Sequence, residues 1–324
     1  MVGRTLVVLG GGGALGAFQA GALLALAEDG VLPDALYGCS AGGLNAAFLA
    51  AGPSLDRAVE LVHWWGELST TGVLLPSRWS RARGLIMAAT GRSDGVLDPR
   101  PLRALVARHI PAHDVSELAV PLSITTTCLD CADARHHHRG RIADVLVASC
   151  ALPGLFPPVR LADGHLHVDG GIVCGVPVQA ALDDAGPDDR ILVLDCGLAP
   201  VTGTPGVCAA RGGMSLDEPV ARGCGLEATE PRPYVAPVES SRGVIDVVLK
   251  AFTVARAVAN TASVRSALDD PRVSVLPHVA DAWAAGLLRE LPSGPRDLSR
   301  TDQLAAGGRR ATEVWLAEGA GVGA

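Results

Sequence analysis

Two consecutive strand–turn–helix units, each turning on glycine, open the chain and constrain its fold more than any other feature. Thr5–Leu9 is a short apolar run that ends in four glycines, Gly10–Gly13. Over Ala14–Glu28, Leu15, Phe18, Ala22 and Leu26 recur at helical spacing until Gly30 and Pro33 stop the pattern. Ala35–Cys39 is a second short strand, and Ala41–Ala51 is rich in Ala and Leu and reads as helix. Strands alternating with helices at this spacing predict a parallel sheet with helices on its faces. The expected class is therefore α/β, three layers around a mainly parallel central sheet.

The remainder fits that class. Leu55–Leu68 and Pro99–Arg108 have the spacing of amphipathic helices, and Pro121–Leu129 is β-branched and strand-like, with Arg135–Arg139 as its candidate hairpin partner. Ile142–Ala151 reads as helix up to the break at Pro153-Gly154. His165–Asp169 reads as a strand entering a Gly-Gly turn, and Arg190–Cys196 as a buried strand. Ala199–Ser241 is rich in Gly and Pro and has no period, so residues 199–241 are expected to form a flexible insert covering a site. Periodicity returns in closing helices over 242–324: helix at Arg242–Leu268, a short strand at Arg272–Leu276, and helix at Arg300–Glu318. With no internal repeat, residues 1–324 are expected to form a single domain.

Composition narrows the function. A hydrophobic content of 48% with 19% charged residues excludes wholesale disorder. With 5 Trp, 2 Tyr and 4 Phe, the core must be built mainly from Ala, Leu and Val. A net charge of -7 and the lack of any basic run argue against a nucleic-acid partner. No apolar stretch reaches the roughly 18–20 residues that cross a bilayer, and the first residues do not resemble a secretion signal. The eight cysteines are scattered, several in apolar segments, as buried thiols are. A reduced, cytoplasmic protein is the expectation, with peripheral contact at a membrane surface left open.

Three motifs carry chemistry. Gly38-Cys39-Ser40-Ala41-Gly42 places a serine between a predicted strand and a predicted helix. A nucleophilic serine at such an elbow needs small neighbours, and its Oγ projects above the sheet at the positive end of the helix. Five letters also occur by chance in a Gly/Ala-rich chain, so a plain small-residue turn is the competing reading. Gly10–Gly16 follows a strand and matches GxGxxG from Gly11 to Gly16. It reads either as a dinucleotide turn, with Asp34 drafted to the ribose, or as a set of backbone N–H groups aimed at an oxyanion. The second fits better, because the next strand runs straight into the serine elbow.

The third motif is Val168-Asp169-Gly170-Gly171. His165, His167 and Asp169 alternate along the strand and so share a face. Asp169 can serve as a base for Ser40, or His167 can complete a Ser-His-Asp triad; an Asp simply opening a turn is the plain reading.

The chain resembles the patatin-like phospholipases, lipid acyl hydrolases that use a Ser-Asp dyad, in the bacterial form of the family. The likeness rests on the three motifs in order, GGGALG at Gly11–Gly16, GCSAG at Gly38–Gly42 and DGG at Asp169–Gly171. The segments Gly10–Leu23, Ala148–Val159 and Asp297–Gly307 match as well. The resemblance implies a patatin-like fold with Ser40 as nucleophile and Asp169 as its base. It further implies an oxyanion hole of Gly11, Gly12 and Gly13, and turns shaped by Gly38, Gly42, Gly170 and Gly171. Leu15 stands where many members carry a basic residue, and Cys174-Gly175 where many carry Asn.

The implied activity is carboxylic ester hydrolysis of a lipid through an acyl-enzyme, without cofactor or metal. Acyl transfer to another acceptor by the same acyl-enzyme is the alternative, and a nucleotide-binding protein using Gly10–Gly16 is the alternative from a different class. Two weaker signals remain. Cys128-x-x-Cys131 before His136-His137-His138 invites a zinc reading, but adjacent histidines on a strand face opposite ways and a second well-spaced pair is missing. Trp64, Trp65 and Trp79 beside Arg78, Arg81 and Arg83 read either as a lipid-facing rim or, preferably, as ordinary helix packing.

Overall fold

The structure is a computed structural model that describes residues 3–70, 87, 90–196, 244–288 and 298–319. Its strands are β1 (Thr5–Leu9), β2 (Ala35–Cys39), β3 (Leu122–Cys128), β4 (Asp133–His137), β5 (Val159–Arg160), β6 (Leu166–Asp169), β7 (Arg190–Leu194) and β8 (Val273–Val275). They form one sheet in the order β5-β6-β3-β2-β1-β7-β8, with β4 paired to β3. β2, β1, β7 and β8 run parallel beside the first half of β3, while β4, β5 and β6 pair antiparallel.

The described helices are α1 (Gly16–Glu28), α2 (Ala41–Ala50), α3 (Leu55–Thr70), α4 (Arg100–His109), α5 (Ile142–Ser149), α6 (Val178–Asp184), α7 (Val244–Ala267), α8 (Val279–Ala284) and α9 (Thr301–Ala317). Side chains alternate along each strand and divide the core in two. Val7, Leu9, Leu36, Leu192 and Leu194 pack with residues of α1 to α5, α8 and α9. Leu6, Val8, Ala35, Tyr37, Ile191 and Val193 pack with Val178 and Ala181 of α6 and with Val264 and Ala267 of α7. Both faces of the sheet are covered, which explains why the parallel strands read as continuous apolar runs. These are the three layers expected.

Most boundaries follow local chemistry. α1 ends where Gly30 adopts φ 78°, with Gly30 N–H donating to Ala27 and Val31 N–H to Leu26. That bond pair is the glycine-capped helix end described by the Schellman motif. Three elements gave no sequence signal: the two-residue β5, the seven-residue helix Val178–Asp184 and the six-residue Val279–Ala284. Each is too short to show a period. The insert expected at 199–241 lies outside the described residues, as do Trp79, Arg78, Arg81 and Arg83. Trp64 and Trp65 are buried, Trp64 stacked 5.1 Å from Phe48 and Trp65 donating to Asn45 Oδ1 at 2.8 Å. For these two tryptophans packing is the outcome, and a lipid-facing rim is not.

Candidate active site

Strand pairing positions the site. Cys39, at the end of β2, lies opposite Thr125 of β3, and Asp169, at the end of β6, lies opposite Thr126. Ile124 and Thr125 pair with β2 on one side and β4 on the other, while Thr126, Thr127 and Cys128 pair with β6 and β4. A residue has only two ladder edges, so β2 and β6 share one edge of β3, and they end there facing each other at consecutive positions. The residue after Cys39 is Ser40. Two motifs 129 residues apart therefore meet at one break in the sheet.

Ser40 has φ 54° and ψ -123° at the N-cap of α2. A non-glycine residue in this region is strained by roughly 1–3 kcal/mol and persists only where its surroundings enforce it. The enforcement here is close packing of backbone. A methyl group added to Gly42 would lie 2.2 Å from the Leu9 carbonyl oxygen, and one on Gly38 would lie 2.6 Å from the Gly42 carbonyl oxygen. Only glycine lets the elbow sit this near the end of β1. Ser40 N–H donates to Ser149 Oγ at 2.8 Å, and Ser149 Oγ donates to the Thr125 carbonyl at 2.7 Å, tying the elbow to α5 and β3.

Ser40 Oγ donates to Asp169 Oδ2 at 2.8 Å. The other carboxylate oxygen accepts the Gly171 N–H at 2.8 Å, and Asp169 N–H donates to Ala151. Asp169 is fully buried and Ser40 is 6% exposed. Burial pushes the Asp169 carboxyl above the usual carboxylate range, against the opposing pull of the Arg256 guanidinium, the Ser40 hydroxyl and the Gly171 N–H. Gly170 fits against β3 so closely that a methyl there would lie 2.6 Å from the Thr125 carbonyl oxygen.

His167 does not join this pair. Its Nε2 faces Asp163 Oδ2 at 2.9 Å and its Nδ1 faces Thr126 Oγ1 at 2.9 Å, so both nitrogens are engaged elsewhere. The Thr126 hydroxyl also meets His137 Nε2 at 2.7 Å. A hydroxyl has one proton, so one imidazole must donate to it. With His167 Nε2 donating to Asp163, the relay runs from His137 through Thr126 to His167.

The glycine turn reaches the serine. A methyl on Gly11 would lie 3.2 Å from Ser40 Cβ and 3.4 Å from Arg256 Nη1. A side chain at this position would crowd both groups. The three turn glycines are not equivalent. Gly11 N–H donates to the Gly175 carbonyl at 2.9 Å and is spent. The N–H groups of Gly12 and Gly13 meet no acceptor among the described residues. Gly175 in turn leaves room for Asn260 of α7, whose Oδ1 would lie 2.3 Å from a methyl at that position.

Four further residues at the site were given no role by the motifs. Ser149, Gly175, Arg256 and Asn260 lie on elements that reach the elbow only through tertiary packing. The buried cation of the site is Arg256, 7% exposed, whereas Leu15 belongs to the core.

Known proteins resemble this chain in sequence and in fold. The family profile for patatin-like phospholipases matches residues 7–182. Human patatin-like phospholipase domain-containing protein 6 is 30% identical over 183 residues, which are 56% of this chain and 13% of that protein. The lysophospholipase NTE1 of Mycosarcoma maydis is 28% identical over 176 residues, 54% of this chain and 9% of that protein. The chain thus spans a small part of the length of these relatives. Among solved structures, human GIVD cytosolic phospholipase A2 superposes with a TM-score of 0.51 at 12% identity, covering 98% of this chain and 59% of that one.

Proposed function

Because the chain belongs to the patatin-like phospholipase family, we propose that it hydrolyses carboxylic esters of lipids with Ser40 as nucleophile and Asp169 as its base. The observation that carries this reading is the 2.8 Å hydrogen bond from Ser40 Oγ to Asp169 Oδ2 inside a buried, strained elbow. In the first half-reaction Asp169 accepts the Ser40 proton as Oγ attacks the ester carbonyl carbon. The carbonyl oxygen becomes an oxyanion held by the Gly12 and Gly13 N–H groups, with Gly11 shaping the turn. The tetrahedral adduct collapses, the carbon–oxygen bond of the ester breaks, and the leaving alcohol takes the proton from Asp169. Water then attacks the acyl-enzyme, Asp169 accepts its proton, and Ser40 recovers a proton as the fatty acid leaves.

A free carboxylate with a pKa near 4 is a weak base. Burial of Asp169 raises its basicity, and the Gly171 N–H fixes its orientation. Exposed Ile172 and Val173 follow the Asp169-Gly170-Gly171 turn directly and give the site an apolar lip for a lipid surface. No described helix is long and apolar enough to cross a membrane, so the lip is read as a peripheral contact. β1 and β8 join one sheet and α9 contacts α1, which supports residues 1–324 as one catalytic domain. The test is hydrolysis of short-chain p-nitrophenyl esters and of a phospholipid and lysophospholipid panel. Turnover lost in Ser40→Ala with the fold intact is expected, and retained turnover would remove Ser40 from the reaction.

A further inference from the structure

Two of the histidines that follow Cys128-x-x-Cys131 in sequence are engaged elsewhere. His136 pairs with Thr125 and His137 with Thr126. A different imidazole takes their place. His165 Nδ1 lies 3.6 Å from Cys128 Sγ and 3.2 Å from Cys131 Sγ, and the three ligand atoms lie within 4.8 Å of one another. A tetrahedral zinc ion with Zn–S near 2.3 Å and Zn–N near 2.0 Å separates sulfur from nitrogen by about 3.5 Å. The observed spacing fits an ion at the centre.

The hairpin turn is shaped for this task. Cys128 ends β3, and the Cys131 N–H donates back to Cys128 Sγ at 3.2 Å. Such N–H groups support a metal-bound thiolate from the backbone side. Ala132, the residue after Cys131, adopts φ 56°, a strained conformation for alanine. His165 sits just before β6, its N–H held by Asp163 Oδ1 at 3.0 Å, and the next residue, Leu166, donates to Asp130 Oδ2 at 2.8 Å. The β3–β4 turn and the entry to β6 are thus already laced together around the three ligands. Cys131 and His165 are half-buried, so an ion can enter from solvent.

We propose that Cys128, Cys131 and His165 form a site for a zinc-class divalent ion, with the fourth position open to water. Two thiolates and one imidazole are a donor set that selects zinc over magnesium or calcium. Binding displaces the two thiol protons to solvent and leaves the ion formally neutralised. The three ligands take no part in the proposed proton transfer, and the site stands or falls on its own metal content. Its effect is on register, because it clamps the start of β6 to the end of β3, where Cys128 opposes His167 and Thr126 opposes Asp169.

The experiment uses the full chain, produced without a polyhistidine tag and purified under reducing conditions. Metal content is measured by mass spectrometry, and uptake is followed with cobalt as an optical probe. A stoichiometric zinc load is expected, with thiolate charge-transfer and tetrahedral visible bands after cobalt exchange. Cys131→Ser and, separately, His165→Ala should lose the ion and those bands, whereas His138→Ala should keep both. Because His165 is half-buried, its variant reports on binding even if the cysteine variant fails to fold. A reduced chain that takes up neither metal overturns the proposal. So does a native Cys128–Cys131 disulfide whose reduction brings no cobalt spectrum.

Discussion

Ser40 donates its hydroxyl hydrogen to Asp169 at 2.8 Å because β2 and β6 end against consecutive residues of β3. The pair is therefore a product of strand register. It needs no histidine for its geometry, since the Gly171 N–H orients the carboxylate from the other side.

That independence predicts a dyad. Removing a general base costs about 10²–10⁴-fold in rate. Asp169→Asn is expected to lose activity on that scale while folding normally. His167→Gln should stay well short of it, because both His167 nitrogens are engaged with Thr126 and Asp163. Values of kcat for the two variants, corrected for folded fraction, decide between dyad and triad.

Ser149 joins the Ser40 N–H to the Thr125 carbonyl. Ser149→Ala leaves a buried donor and a buried acceptor without this partner, a cost of about 1–3 kcal/mol. Urea denaturation should show a loss of that size. Because the strained elbow then loosens, kcat should fall more than KM rises.

Gly42→Ala forces a methyl into the Leu9 carbonyl. Backbone must move to admit it, at a cost of about 3 kcal/mol. The expected outcome is a large drop in thermal midpoint together with loss of ester turnover. Gly52→Ala, where a methyl meets open space, should change neither.

Two pH dependences follow, one in activity and one in stability. Asp169 must be ionised to act, and burial holds its carboxyl above the usual carboxylate range. The acidic limb of kcat/KM should therefore lie higher than for an exposed carboxylate. Stability also falls toward low pH, through the histidines. Burial depresses His137 to about 4 and His278 to about 3, so both stay neutral in the fold while the unfolded chain takes up protons from about 6.5 downward. Their contribution is full above pH 6.5 and is lost as pH falls toward 4 and then 3. Asp169 works against this trend, since its raised pKa lets the folded state hold a proton that the unfolded state has released. The stability curve of Asp169→Asn should thus drop more steeply between pH 6.5 and 4 than that of the parent.

Much of the fold was legible in the chain, and for identifiable reasons. The apolar run Thr5–Leu9 and the strand Ala35–Cys39 match β1 and β2 residue for residue, because glycine turns bound them sharply. The family resemblance read from the three motifs agrees with the family match over residues 7–182. Within the candidate site, the register that joins Cys39 to Thr125 and Asp169 to Thr126 has no local trace, since pairing between distant strands is set by tertiary packing. For the same reason the motif does not distinguish Gly11, whose N–H is taken by Gly175, from Gly12 and Gly13. His165 was read as a companion of Asp169, and its position beside Cys128 and Cys131 became visible only once β6 lay against β3.

The most direct test of the central claim is covalent labelling with a fluorophosphonate, whose phosphorus takes the place of the ester carbonyl carbon. Peptide mapping should find the adduct on Ser40, with labelling strongly slowed in Asp169→Asn. An adduct on another residue, or undiminished labelling of a Ser40→Ala chain, would contradict the assignment of Ser40 as the nucleophile.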